Sequence, residues 1–149
     1  MGCGKSTAGK LLAQKLHYDF IDFDSYIELE TGKTIPVIFE TEGEEKFRTL
    51  EHEYLKKILP LDKTVVSLGG GTPCFNNNMD LINKNGTSIY IELDVDSLTA
   101  RLLRSRNRRP LIRGLDENAL KTFIITNLEK RESVYRKAHH TIRTKNLRP

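Results

Sequence analysis

An α/β fold, a parallel sheet with helices on both faces, is what this sequence predicts, and three observations predict it. Short apolar stretches with strand character alternate with longer stretches of helical period along the whole chain. A glycine-rich turn at 2–4 opens directly into the first helical stretch. Three consecutive glycines, 69–71, follow a later apolar stretch, at the carboxyl end where open α/β sheets bind ligands. The chain has 149 residues with 38% hydrophobic and 30% charged side chains, which suits one domain with one core and excludes a disordered tail protein.

The elements follow in order. Residues 5–16 predict a helix with Ala8, Leu11, Leu12 and Leu16 on one apolar face. Residues 18–23 predict a strand, and 25–31 one or two helical turns ended by Gly32. Thr34 as N-cap, with Pro36 just inside, opens a short helix through Glu40. Residues 44–59 predict a longer helix on the stripe Phe47, Leu50, Tyr54, Leu55 and Ile58. A strand at 64–68 breaks at Gly69. A helix at 78–84 precedes a strand at 87–93, and a helix at 95–104 runs into an arginine-rich loop. Asp116 caps a long helix to residue 137, and 141–143 form a last short strand. There is no internal repeat and no interdomain linker.

Gly2-Cys3-Gly4-Lys5-Ser6-Thr7 reads as the second half of the phosphate-binding motif G-x-x-x-x-G-K-[ST], the P-loop. Glycines let successive backbone N–H groups curl toward phosphate oxygens, and the helix behind them points its positive end at the same anion. Lys5 then reaches the outer phosphates, Ser6 takes a place on Mg²⁺, and Thr7 adds a phosphate contact. A chance turn would have no reason to lead into an amphipathic helix. The motif's first glycine, and the strand expected before it, are not in the sequence. The expectation is therefore that these residues are part of a longer native chain in which Met1 is internal.

Asp22 and Asp24 sit at the end of the first predicted strand, where alternation separates them. One suits the water shell of Mg²⁺ and the other a proton from an attacking hydroxyl. The blander alternative is a capped turn with Asp24 as N-cap. Gly69, Gly70 and Gly71 allow close approach of a ligand to backbone. Arg48 and Arg131, on helices otherwise patterned for packing, are ordinary surface charges or a fork for a carboxylate. Arg104, Arg106, Arg108, Arg109 and Arg113 crowd one loop with Pro110 and Gly114, which reads as a mobile lid closing on an anion.

The net charge is +4, with aromatics at 7% and no Trp. No aromatic interleaves with the arginine cluster, so a stacking platform for nucleic acid is not expected. No apolar run is long enough for a membrane span and there is no apolar leader segment, so neither membrane insertion nor a signal peptide is expected. Two cysteines in unrelated contexts, Cys3 and Cys74, fit a reducing cytoplasm.

Together these motifs resemble the shikimate kinase family: G-C-G-K-S-T at 2–7, I-D-F-D at 21–24, T-G-K-T-I at 31–35, I-F-E-T-E-G-E-E-K-F-R at 38–48, S-L-G-G-G-T at 67–72, R-R-P-L-I at 108–112 and E-K-R-E-S-V-Y at 129–135. The resemblance implies a three-layer α/β/α, nucleoside-monophosphate-kinase-like domain over 1–149, with a lid at about 104–115 and an acceptor segment at about 24–55. It implies transfer of a phosphoryl group from ATP, with Mg²⁺, to shikimate in aromatic amino-acid biosynthesis, by a monomeric cytoplasmic enzyme.

The implied roles fall on specific positions. Gly2, Cys3, Gly4, Lys5, Ser6 and Thr7 bind ATP, and Ser6 and Asp22 hold the metal. Asp24 contacts the acceptor hydroxyl as base. Arg48 and Arg131 clamp the carboxylate, with Gly69, Gly70 and Gly71 lining the ring. Arg109 reaches phosphate and acceptor from the lid. Either Arg101 or Arg104 stacks on adenine, and an adenine loop falls at 144–149, where the match is poor. The family's last helix has no counterpart in the sequence. The alternatives are another small-metabolite P-loop kinase, such as a gluconate kinase, or a nucleotide-binding relative without catalysis.

Overall fold

The computed structural model describes residues 2–105, 112 and 114–143. Helix α1 (Lys5–Leu16) leads to strand β1 (Asp19–Asp22), α2 (Phe23–Thr31) and α3 (Ile35–Ile58). Strand β2 (Thr64–Ser67), a 3₁₀ turn (Thr72–Cys74), α4 (Asn78–Asn85) and β3 (Ile89–Glu92) follow. Helices α5 (Val95–Ser105) and α6 (Glu117–Tyr135) precede β4 (His140–Arg143).

The strands are parallel, as the α/β reading requires, but among the described residues they form two pairs rather than one sheet: β1 with β2, and β3 with β4. The register sets Asp22 beside Ser67 at the carboxyl end of the first pair.

The packing of α1 differs from the sequence reading. Leu11, Leu12 and Leu16 are exposed, and Ala13 is the buried residue of the helix. Small residues bring α1 down on the β1–β2 pair: a Cβ on Gly9 would fall 2.8 Å from the Phe20 ring. The two helices predicted over 34–59 follow one another within α3 and are divided at Gly43, whose non-helical φ of 84° and ψ of 169° suit glycine. The predicted stripe of that element does pack: Phe47, Leu55 and Ile58 are buried with Phe23, Ile27, Ile38 and Ile82. A second cluster joins Cys3 of the P-loop to Leu93, Leu98, Leu102, Ile112, Leu120 and Ile124. Asp116 caps α6 as expected, accepting from the Ala119 N–H at 2.8 Å.

Candidate functional site

The P-loop curls as its sequence dictates. Gly2 and Gly4 take φ values of 76° and 91°, in the left-handed region that glycine tolerates. A Cβ at Gly2 would also meet Leu102 Cδ2 at 2.8 Å, so α5 packs directly beneath the loop. The Cys3 carbonyl accepts from Arg101 Nη1 at 3.4 Å. Arg101 thus lies against the loop, whereas Arg104 is exposed in the last turn of α5.

Ser6, the first turn of α1, meets the carboxyl ends of β1 and β2. Its Oγ donates to Asp22 Oδ2 at 2.6 Å and lies 3.3 Å from Ser67 Oγ. Its one proton goes to Asp22, so Ser67 is the donor in the second contact. Two hydroxyls and a carboxylate make a cluster of hard oxygens, the donor chemistry that suits Mg²⁺. Ser67 was not singled out from sequence; its place at a strand end just before the glycine run was the available signal.

The two aspartates separate for a different reason from strand alternation. The strand ends at Asp22, which caps α2 through Ser25 N–H at 3.5 Å, and Asp24 lies in the first turn of that helix. The cap is therefore Asp22, and Asp24 is released to face the glycine loop. Its side chain keeps an opening to solvent but is crowded by protein. Burial pushes its carboxyl above the ordinary value of 3.8, with Asp22, Glu51 and Glu28 adding to the rise and Lys5 opposing it.

The glycine run spans from this carboxylate to the arginine of α3. A Cβ on Gly69 would fall 2.6 Å from Asp24 Oδ1, and one on Gly71 would fall 2.7 Å from Arg48 Nη1. Arg48 donates through Nη1 to Glu51 at 2.8 Å and through Nη2 to Glu44 at 3.0 Å. Glu51, only 1% exposed, also accepts from Thr72 Oγ1 at 2.5 Å. A charge this buried needs such partners. Glu51 was missed from sequence because an acid inside an apolar stripe looks like an interruption, not an anchor.

From the opposite side, Tyr135 of α6 donates its hydroxyl to the Gly70 carbonyl at 2.5 Å. Arg131 lies one turn earlier on the same helix. Burial raises the Tyr135 phenol, and Arg131 works against that rise. The Cys74 thiol reports the same convergence: burial raises it, while Arg131 and then Arg48 pull it down. Helices α3 and α6 thus bring both predicted clamp arginines toward one loop. Arg109 and the rest of 106–111, Arg113, and the segment 144–149 expected to hold adenine lie outside the described residues.

Known proteins resemble this chain in sequence and in fold. The sequence model of the shikimate kinase family matches residues 1–149. A shikimate kinase from Azobacteroides pseudotrichonymphae is 46% identical over 93% of this chain and 82% of its own. The crystal structure of shikimate kinase from Bacteroides thetaiotaomicron superposes with a TM-score of 0.95 at 38% identity, covering 100% of this chain and 85% of that one. Shikimate kinase from Acinetobacter baumannii in complex with shikimate gives a TM-score of 0.86 at 36% identity, over 98% of this chain and 80% of that one. A half P-loop folded onto a metal-suited oxygen cluster, and matches of this extent, lead to one conclusion: the chain belongs to the shikimate kinase family.

Proposed function

We propose that the protein phosphorylates shikimate with ATP to give shikimate 3-phosphate and ADP, a step of aromatic amino-acid biosynthesis. The observation that carries this reading is the glycine run 69–71, with Asp24 at one end and Arg48 at the other. An acceptor carrying a carboxylate and a hydroxyl a ring's width apart fits that layout.

In this reading the backbone of 2–7 and Lys5 hold the β- and γ-phosphates. Ser6 and Asp22 would hold Mg²⁺, which neutralises charge on the transferring group. Arg48 and Arg131 grip the carboxylate, and Gly69 to Gly71 let the ring lie against backbone. Asp24 takes the proton from the acceptor hydroxyl; its raised pKa makes it a stronger base than an ordinary aspartate. Positioning and charge neutralisation supply most of the rate, with no covalent intermediate. Arg101, held at the P-loop, is the better placed of the two adenine candidates, and Arg109 is assigned to the lid. The single domain, the lid at about 104–115 and a monomeric state belong to the same proposal. Both cysteines are free, which suits a cytoplasmic home, and no helix among the described residues is long and apolar enough to cross a membrane.

ADP release is the test, measured with MgATP in the presence and absence of shikimate. Turnover that requires shikimate supports the proposal. Turnover with gluconate instead, or ATP binding without turnover on any acceptor, refutes it.

A further inference from the structure

We propose that Phe75 is a positioning residue for the acceptor clamp: its ring holds the Arg48 guanidinium in the plane from which it grips a carboxylate. This deepens the reading above and rests on it. The Phe75 ring centroid lies 4.0 Å from Arg48 Cζ, nearer than those of Phe47 at 5.1 Å and Phe39 at 5.9 Å. Contact through the ring face restrains the guanidinium without consuming any in-plane N–H, so every donor not already used stays available.

The other restraints on Arg48 do consume donors. Glu51 takes Nη1, and Glu44 takes Nε at 3.3 Å and Nη2 at 3.0 Å. Glu44 is 58% exposed and holds donors that an incoming carboxylate would also use. Once that contact loosens, Phe75 and Glu51 are what keep the fork aimed.

The segment carrying Phe75 is built to hold it there. Asn76 Nδ2 donates to the Arg48 backbone carbonyl at 3.0 Å. Asn76 and Asn77 both adopt left-handed backbone, at φ 52° and 54°, a turn geometry that asparagine accepts more readily than other non-glycine residues. Asn78 supplies the anchor. It is fully buried, donates Nδ2 to the Thr72 carbonyl at 2.8 Å, and pairs Oδ1 with His52 Nδ1 at 2.6 Å. Phe75 itself is 37% exposed and belongs to neither apolar cluster, so core packing does not account for its place.

The experiment compares steady-state kinetics of the protein with its Phe75→Leu, Phe75→Tyr and Phe75→Trp variants, varying shikimate and ATP separately. Leucine keeps apolar bulk and removes the ring face; tyrosine and tryptophan keep the face. The expected result is a rise of about three- to tenfold in KM for shikimate with Leu, at unchanged kcat and unchanged KM for ATP, with Tyr and Trp near wild type. Wild-type values for Leu, an equal loss in all three variants, or a loss confined to kcat would overturn the assignment. If the unsubstituted protein turns over no shikimate, the proposed function falls and this assignment with it. A shikimate-active protein indifferent to Phe75→Leu sinks the assignment alone.

Discussion

At the scale of single residues, the site is set by carboxylates crowded by protein, Glu51 buried and Asp24 open to solvent on one side. Asp24 has its pKa raised by crowding and by Asp22, Glu51 and Glu28, so its ionised form costs folding free energy above that pKa. The sign follows: a neutral amide removes a cost present at neutral pH and absent below the ordinary value of 3.8, where folded and unfolded carboxyls are both protonated. Asp24→Asn should therefore lower kcat by roughly 10²–10⁴-fold while raising Tm at pH 7 by roughly 1–3 °C, the size left after solvent screening. Paired calorimetry at pH 7 and pH 3 checks it; a gain that persists at pH 3 would contradict the electrostatic cause. Glu51 works in the other direction. Glu51→Ala strands Arg48 and Thr72 beside a buried void, and chemical denaturation should show a loss of about 2–4 kcal/mol together with a raised KM for shikimate.

At the scale of elements, backbone shape decides how the site is carried. Gly43 kinks α3 so that its first half can pack Ile38 while its second half presents Arg48 and Glu51. A Cβ there meets nothing within 4 Å, so Gly43→Ala isolates the backbone term. It should cost about 1–3 kcal/mol in urea unfolding, and no measurable change would show that the kink relaxes freely. Helix α5 supports the phosphate loop from beneath through Leu102, which is 1% exposed. Leu102→Ala should destabilise by about 2–5 kcal/mol and raise KM for ATP more than KM for shikimate.

At the scale of the whole molecule, two apolar clusters flank the site. One carries Cys3 of the P-loop, and the other carries the helices that present Asp24 and Arg48. Side chains that reach from one region to the other include Ser6, which donates to Asp22, and Tyr135, which donates to the Gly70 carbonyl. Ligands that touch both sides should act as ties. At 100 times its dissociation constant a ligand adds about 2.7 kcal/mol of apparent stability. Thermal shift should thus show stabilisation by ATP and by shikimate separately and a further rise with both; a shift with ATP alone that shikimate never increases would speak against a shared cleft.

The sequence by itself determined the α/β class, the element order, the phosphate loop and the candidate residues of the site, because these rest on local chemistry. Glycines mark obligatory left-handed or crowded backbone, periodicity marks buried faces, and a run of motifs in order marks a family. What only the tertiary structure decided depends on residues distant in sequence. Asp22 rather than Asp24 caps α2 because the strand stops one residue earlier than its apolar pattern suggests. Ala13 rather than Leu11, Leu12 and Leu16 is the buried residue of α1, because close approach to Phe20 favours small side chains. Ser67, Glu51 and Tyr135 join the site through Ser6, Thr72 and Gly70, partners between 21 and 65 positions away in the chain. Such pairings follow from strand register and helix docking, and neither is written in any one stretch of sequence.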